Sequence, residues 1–390
     1  MSTTSHETIG MGWRRPDGRI GLRNHVIALS TIALTDRVTA LAAARVPGVL
    51  PVTPGFQRGV RGCDATLQAD MIEAIIAHPN VGAALVVTHD RAAAAHLHAA
   101  CAELQKPVVV LSLMAQRGMQ AAQDVMVLHL QDLMTAMAGS PKTDLQLSDL
   151  TVALECGGSD ATSALCANPS IGRFVDQLIA AGGTAIVSET AEFLGGEDVI
   201  RAQSHSPAIA QAILAHLSAE DAMMHADGTD YRGVNPTQEN IEAGLSTLTE
   251  KTMGAICKIG TSKFSGALQF GEKPGEPGLY FMHTPFFSPT SLTGMVLAGA
   301  QITLFAVGVF NPSGLPLAPT VKICGNPKTL SDWSDSIDLD VSGIISGQSD
   351  YGDTAQAILD LVRQISEGRL TCAEQWQEGQ ITVPVSQLPL

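Results

Sequence analysis

The apolar positions in the first third of the chain fall into short continuous runs separated by stretches of helical spacing. Residues 25–29 (HVIAL) predict a buried strand. Residues 35–46 (TDRVTALAAARV) repeat apolar side chains at helical intervals, with Thr35 or Asp36 as the N-cap. A helix over 65–77 stops at Pro79-Asn80, because proline cannot continue it. A strand at 83–87, an Ala-rich helix over 92–104 and a strand at 108–113 follow. Strands that are apolar throughout, alternating with helices, imply right-handed crossovers and a parallel sheet covered by helices.

The polar, small-residue stretch 138–143 (AGSPKT) interrupts this pattern and reads as a linker. Strands at 150–154 and 184–187, helices over 171–181 and 197–217, two further strands at 302–307 and 320–324 and a closing helix over 354–365 then resume it. Between 233 and 294 the chain is rich in Gly, Pro, Thr and Ser and reads as a long irregular insert, of the kind that usually carries function. The expected fold is α/β, with two parallel-sheet, Rossmann-like domains. An N-terminal domain covers 1–137, a linker 138–147 and a C-terminal domain 148–390, the last carrying the insert.

Composition narrows the function. The 390 residues are 45% hydrophobic and 16% charged, enough for a sizeable core and too apolar for disorder. Twenty-three Lys and Arg against 38 Asp and Glu leave a formal net charge of −15, which argues against nucleic acid or an anionic membrane surface as partner. A small anionic substrate remains compatible. No apolar run reaches membrane-spanning length, and the polar start (MSTTSHETIG) lacks the apolar segment of a signal peptide, so a cytoplasmic chain is expected. Seven scattered cysteines without a CxxC pair read as free thiols, and a homo-oligomer is expected on general grounds.

Four groups of residues carry candidate chemistry. Cys156-Gly157-Gly158-Ser159-Asp160 follows an apolar strand, where ligand sites of parallel sheets collect; the same residues would also make a capped tight turn. Ser188-Glu189-Thr190-Ala191-Glu192 follows another strand. Its carboxylates suit a divalent metal or a general base, or equally an acidic helix start. Arg23-Asn24-His25 offers a cation, an amide and an imidazole, or a structural histidine at a strand start. Glu250-Lys251 offers an anion anchor or base, or an exposed ion pair. No GxGxxG follows the first strand, and neither GxxxxGK[ST] nor HExxH occurs, which lowers the weight of nucleotide-cofactor, P-loop and zincin chemistry.

Taken in order, these motifs resemble the altronate/galactarate dehydratases. The resemblance runs through GWRRPDGRIGLRNH (12–25), HPNV (78–81), ECGGSD to FLGGE (155–197), GLSTLTEKTMGAICKIG (244–260), Thr284-Pro285, PTVKICGN (319–326) and Asp338-Leu339-Asp340, and covers nearly the whole chain. It implies a hydro-lyase that dehydrates a small hydroxy or sugar acid, such as altronate or galactarate, to a 2-keto-3-deoxy acid, assisted by Fe²⁺ or Mn²⁺. It also implies that a separate small SAF-type subunit supplies a domain not seen in this sequence. The residues it puts forward are His25, Lys251, Glu189 and Asp160 for catalysis. For substrate binding it puts forward Arg23, Asn24, Cys156, Gly157, Gly158, Ser159, Asn168, Thr284 and Asn326. Glu189 and Glu192 are the candidate metal ligands.

The sequence also departs from that family. Cysteine-bearing turns of the first domain are replaced by Ile32-Ala33-Leu34-Thr35, Pro54-Gly55-Phe56-Gln57 and Thr88-His89-Asp90-Arg91, with His89 and Asp90 as conceivable replacement ligands. A TGRG-like loop becomes Val307-Gly308-Val309-Phe310, His283 stands where an Asp is usual, and Ser342 where a Cys is usual. The lost loop fits a shorter acid. The related sulfolactate sulfo-lyase β subunit is similarly depleted in first-domain cysteines. A carbon-sulfur lyase releasing sulfite is therefore the main alternative, and a non-catalytic, diverged subunit is another.

Overall fold

The computed structural model describes residues 8–226, 228, 233–386 and 389. Part of the polar chain start, residues 1–7, lies outside them. Strands are numbered in chain order: β1 Gly10–Arg14, β2 Ile20–Gly21, β3 His25–Ser30, β4 Val49–Val52, β5 Val81–Thr88, β6 Val108–Ser112, β7 Thr143–Leu145, β8 Thr151–Gly157, β9 Thr184–Val187, β10 Phe264–Leu268, β11 Leu279–Met282, β12 Ile302–Val307, β13 Thr320–Cys324 and β14 Leu339–Asp340.

Two compact units form. The first comprises Met11–Leu145, Pro316–Ala318 and the stretch from Gln380 onward. The second comprises Gln146–Leu315, Pro319–Gly379 and the described residues before Met11. The linear division at 138–147 places three short segments, the described residues before Met11, Pro316–Ala318 and the stretch from Gln380 onward, apart from the unit they pack with.

In the first unit, four parallel strands run in the order β4-β3-β5-β6. Their alternate apolar residues, including Val26, Ala28, Leu85 and Val87, pack against Val38, Met126 and Leu130 of the helices Ala33–Ala43 and Met119–Met137. Neither β4 nor that second helix is among the elements that the hydropathy pattern predicts. The helix predicted to begin at Thr35 begins two residues earlier, with Ile32 as its N-cap and no capping side chain. Thr35 instead bonds back to Ile32 O and pairs with Ser30 Oγ inside the first turn. A small sheet of order β2-β1-β7 completes the strand inventory outside the second unit's sheet.

The second unit holds seven parallel strands in the order β10-β11-β9-β8-β12-β13-β14. Two parts of this unit differ from the sequence expectation. The region expected as irregular insert contributes the edge strand β10, its neighbour β11 and the helices Leu248–Ala255 and Ser288–Leu297. Strands of four or five residues, β10 interrupted by Gly266, are too short to display strand periodicity, yet Leu268, Tyr280 and Met282 join the core with Ile186 and Leu292. The single helix expected over 197–217 is two, Glu197–Ala202 and Pro207–Met224. The second starts afresh at Pro207, with Ser206 Oγ accepting from Ile209 N.

The chain lays down β8, then β9 on one side of it and later β12 on the other. The strand order thus reverses between β8 and β12, the place where open parallel sheets bind ligands beyond their carboxyl ends.

Candidate active site

A cavity of about 460 Å³ opens at this reversal point, beyond the carboxyl ends of β8, β9, β11 and β12. Cys156, Gly157 and Gly158 form its floor, Glu189 and Lys251 face it, and Phe286, Phe287, Val309 and Phe310 give it apolar walls. Cys156 and Gly157 are the last residues of β8 rather than part of a loop. Gly158 is obligatory: its φ of 60° lies in the left-handed region, and a Cβ there would stand 2.1 Å from Val309 O. That close approach lets Val309 N donate to Gly158 O at 2.7 Å, fixing the wall to the floor.

Glu189 also occupies the left-handed region, at φ 62° and ψ 80°, where a non-glycine residue is strained. The strain is held by Glu189 N donating to Thr284 Oγ1 at 2.9 Å, and by Thr190 Oγ1 paired with His283 Nδ1 at 2.8 Å. Thr284 thus shapes the backbone that presents Glu189.

Beneath the cavity lies a buried cluster of charge. Glu192 Oε2 meets Lys258 Nζ at 2.8 Å, and Glu192 Oε1 meets Lys251 Nζ at 3.2 Å. The Cys156 thiol donates to Glu192 Oε2 at 3.0 Å, and Lys258 Nζ donates to Cys156 Sγ at 3.1 Å. Lys251 reaches Asn235 Oδ1 at 3.2 Å and lies 4.0 Å from the centroid of the Phe286 ring. A third buried carboxyl, Glu155, accepts from Ser291 Oγ, which in turn pairs with Ser188 Oγ.

These surroundings drive the three carboxyls apart. Burial alone would raise Glu192, but the ammonium groups of Lys258 and Lys251 outweigh it and hold Glu192 down at about 2. Burial, followed by the charges of Glu155 and Glu192, pushes Glu189 well above the ordinary carboxylate range. Burial pushes Glu155 up to about 7, the Lys258 ammonium only partly opposing it. Burial also pushes the Cys156 thiol up, with Glu192 adding to it. The cluster therefore holds one ionised carboxylate locked to two lysines and, beside it, two carboxyls that retain a proton more readily. Carboxyls separated in this way divide naturally into fixed charge and proton carrier.

The structure distributes the sequence candidates unevenly. Cys156, Gly157, Gly158, Glu189 and Lys251 line the cavity, and Glu192 lies directly behind Lys251. Ser159 is buried beside the floor, its Oγ 3.9 Å from Cys156 Sγ. Asp160 is engaged in structure: Thr162 Oγ1, Ser163 N and Asn326 Nδ2 all donate to its carboxylate at 2.7–2.8 Å. Asn326 caps the helix Pro327–Asp332 with its other side, and Asn168 Nδ2 donates to Gly254 O.

Arg23, Asn24 and His25 belong to the first unit, at the amino end of β3. Asn24 Oδ1 accepts from Arg15 Nη1, Arg23 O from Arg15 Nη2, and Pro79 O from Arg15 Nε, at 2.6–2.8 Å. Asn80 Oδ1 accepts from Leu22 N, and His25 N donates to Asn80 O. His89 pairs with Arg58, and Asp90 caps the helix Arg91–Ala102.

Glu155, Lys258 and Asn235 are not among the sequence candidates. Two of them had a legible signal. Glu155 interrupts the apolar strand Val152-Ala153-Leu154, and Lys258 stands between Ile256 and Ile259; charges in such settings are rarely buried without a partner. Asn235 had none.

The donor set does not fit a divalent metal. Among the described residues no group of three or more His, Cys, Asp or Glu side chains is placed to hold one. Lys258 Nζ lies between Cys156 and Glu192, and Lys251 takes the other oxygen of Glu192, so ammonium groups fill the coordination positions of the only strongly ionised carboxylate in the cluster.

Comparison with known proteins joins these observations to a family. The model described as D-galactarate/Altronate dehydratase, C-terminal, matches residues 147–387. The model described as D-galactarate dehydratase/Altronate hydrolase, second domain, matches residues 12–138. The chain is 30% identical to the (2R)-sulfolactate sulfo-lyase subunit beta of Chromohalobacter salexigens, over 93% of this chain and 94% of that protein. It is 26% identical to the altronate dehydratase of Escherichia coli over 93% of this chain and 74% of that protein. Against the altronate dehydratase of Bacillus subtilis it is 27% identical over 81% and 65%. With both of its units matched, the chain belongs to the D-galactarate/altronate dehydratase family, whose relatives named here are lyases.

Proposed function

We propose that this chain is the β-type subunit of a carbon-sulfur lyase that eliminates sulfite from a short 2-hydroxy-3-sulfo carboxylic acid. The observation that carries this reading is the end-to-end match to a sulfo-lyase β subunit, whereas about a quarter of the Escherichia coli altronate dehydratase lies outside the aligned part. A second subunit is part of the proposal, because that relative is itself named a subunit. The apolar walls at Phe286, Phe287, Val309 and Phe310 suit a short acid better than a polyhydroxylated one.

The chemistry asks for few groups. The C2 proton of a 2-hydroxy acid is weakly acidic, and its removal places charge on the carboxylate. The C3–S bond then breaks with its electron pair on sulfur, releasing sulfite, and the resulting enol becomes the 2-keto acid. Lys251 receives the substrate carboxylate and stabilises the charge that develops on it. Glu192 and Lys258 hold Lys251 in place without neutralising the cavity, since the trio carries one negative and two positive charges. Glu189, which faces the cavity and whose burial favours its protonated form, exchanges the proton. Gly157 and Gly158 let the substrate approach the backbone.

Dehydration of a sugar acid is the second reading, favoured by the dehydratase relatives and by the same C2 proton step. A panel of (2R)-sulfolactate and C4 to C6 aldonic acids, assayed for 2-keto acid and for sulfite, tests both. Sulfite with equimolar keto acid is the expected result. Keto acid from an aldonate without sulfite would replace this reading with the second.

A further inference from the structure

Asn235 touches the charged cluster with one end of its amide and leaves the other end unused. Its residue is 6% exposed. Its Oδ1 accepts from Lys251 Nζ, and because an ammonium only donates, this contact settles which end of the amide is oxygen. The other end, Nδ2, is buried without a hydrogen-bond partner. A buried amide donor without an acceptor costs on the order of 1–3 kcal/mol, so an unmet one beside a cavity asks for an explanation.

The surroundings hold Asn235 in place. Gly233 N donates to Pro236 O at 3.1 Å, closing the turn that carries it. Thr237 and Asn240 cap the next helix reciprocally, and Asn240 Nδ2 donates to Ser159 O at 3.0 Å, tying that helix to the cavity floor. Asn240 therefore spends both ends of its amide on structure, and Asn235 does not. Val234 and Thr237, on either side of it in the chain, line the cavity, as does Lys251.

We propose that Asn235 is a second oxyanion donor of this site, its free amide N–H acting beside the Lys251 ammonium to take an oxygen of the substrate carboxylate or of the enolate formed from it. The inference rests on the reading of the cavity as the site of an acid-cleaving lyase. A fixed amide paired with an ammonium gives direction to an interaction that a lysine alone supplies only as charge. With Oδ1 turned to Lys251, the amide holds the ammonium and its N–H, next to the lining residues Val234 and Thr237, has no other partner.

The test is Asn235→Asp in the full chain, with wild type and variant both assayed in complex with the second subunit that the sulfo-lyase reading requires. The substitution is isosteric and keeps an oxygen for Lys251, so a residue that merely positions Lys251 would tolerate it. A residue that donates to the substrate would not, because the donor becomes a negatively charged acceptor. Two readouts are taken: kcat/KM for sulfite release from (2R)-sulfolactate, and calorimetric binding of pyruvate, a 2-keto acid of the product class. We expect kcat/KM to fall roughly 100-fold and pyruvate binding to weaken by at least about tenfold, with the folded far-UV spectrum kept. Asn235→Ser, which can still donate, should recover part of the loss. Wild-type activity with Asn235→Asp within about twofold on both readouts overturns the inference and leaves the lyase reading standing. Wild type that releases no sulfite but binds pyruvate overturns the sulfo-lyase reading, and the binding comparison still decides Asn235. Wild type that does neither overturns both.

Discussion

Two regions of this molecule are equally rich in polar, motif-like residues, and they use them in opposite ways. Around Arg15 in the first unit, every nitrogen type of the guanidinium is spent on Pro79 O, Asn24 Oδ1 or Arg23 O, and Asn80 spends its oxygen on Leu22 N and its Nδ2 on Leu317 O. Polar side chains there replace missing secondary-structure hydrogen bonds between segments distant in sequence. Around Glu192 in the second unit, carboxyls, ammonium groups and a thiol are buried against one another, and groups such as Glu189 and Lys251 still face a cavity. The first arrangement is a clasp. The second carries unspent capacity, at the cost of burying charge. The difference teaches that residue type does not separate a site from a structural corner; what separates them is whether the hydrogen-bonding and charge capacity is already used.

The sharpest way to break this comparison is Glu189→Gln. It removes the proton carrier while keeping the shape, and turnover should fall on the order of 1,000-fold with substrate binding little changed. Turnover near wild type would move Glu189 out of the chemistry and make the strained backbone there a structural matter.

On the other side of the comparison, Arg15→Met should act on stability. The side chain is buried, its burial lowering the guanidinium to about 10, and its loss leaves two carbonyls and an amide oxygen without their charged donor. We expect about 3 kcal/mol less stability in the denaturant transition that reports this unit. A change within about 0.5 kcal/mol would show that water replaces the clasp at little cost.

The smallest effect lies in pH dependence. Glu155 is raised from the ordinary value near 4.5 to about 7, so between those values the folded chain keeps a proton that the unfolded chain has released. Folding then takes up a proton, and this group's contribution makes stability fall as pH rises through that window. Glu192 is depressed and contributes in the opposite sense only below about 4.5, where its stabilisation is lost as pH falls toward 2. Glu155→Gln should therefore flatten the slope of Tm against pH between about 4.5 and 7. An unchanged slope would place the retained proton elsewhere in the cluster.

Much of the architecture was legible beforehand. Apolar runs of strand length separated by helical spacing mark β3, β5, β6, β8, β9, β12 and β13 and, among the helices, Ala33–Ala43, Gly62–Ala77, Arg91–Ala102, Asn168–Ala180 and Tyr351–Ser366, because burial on both faces of a parallel sheet leaves little choice of residue. β10 and β11 do not show, since strands of five and four residues carry too few positions to show a period. In the site, Cys156-Gly157-Gly158 and Glu189 stood out because they follow apolar strands, and strand ends in a parallel sheet share one edge.

What the sequence determined by itself was the α/β alternation, the family and the segments that collect at that edge, all of which depend on residue types close together along the chain. Only the tertiary structure decided that Asp160 and Asn326 are spent on each other while Glu192 is shared between Lys251 and Lys258. It also decided that Asn235 keeps a donor in hand. Whether a buried polar group is satisfied depends on partners tens of residues away, and hydrogen bonds and desolvation act over a few ångströms of space, whatever the separation along the chain.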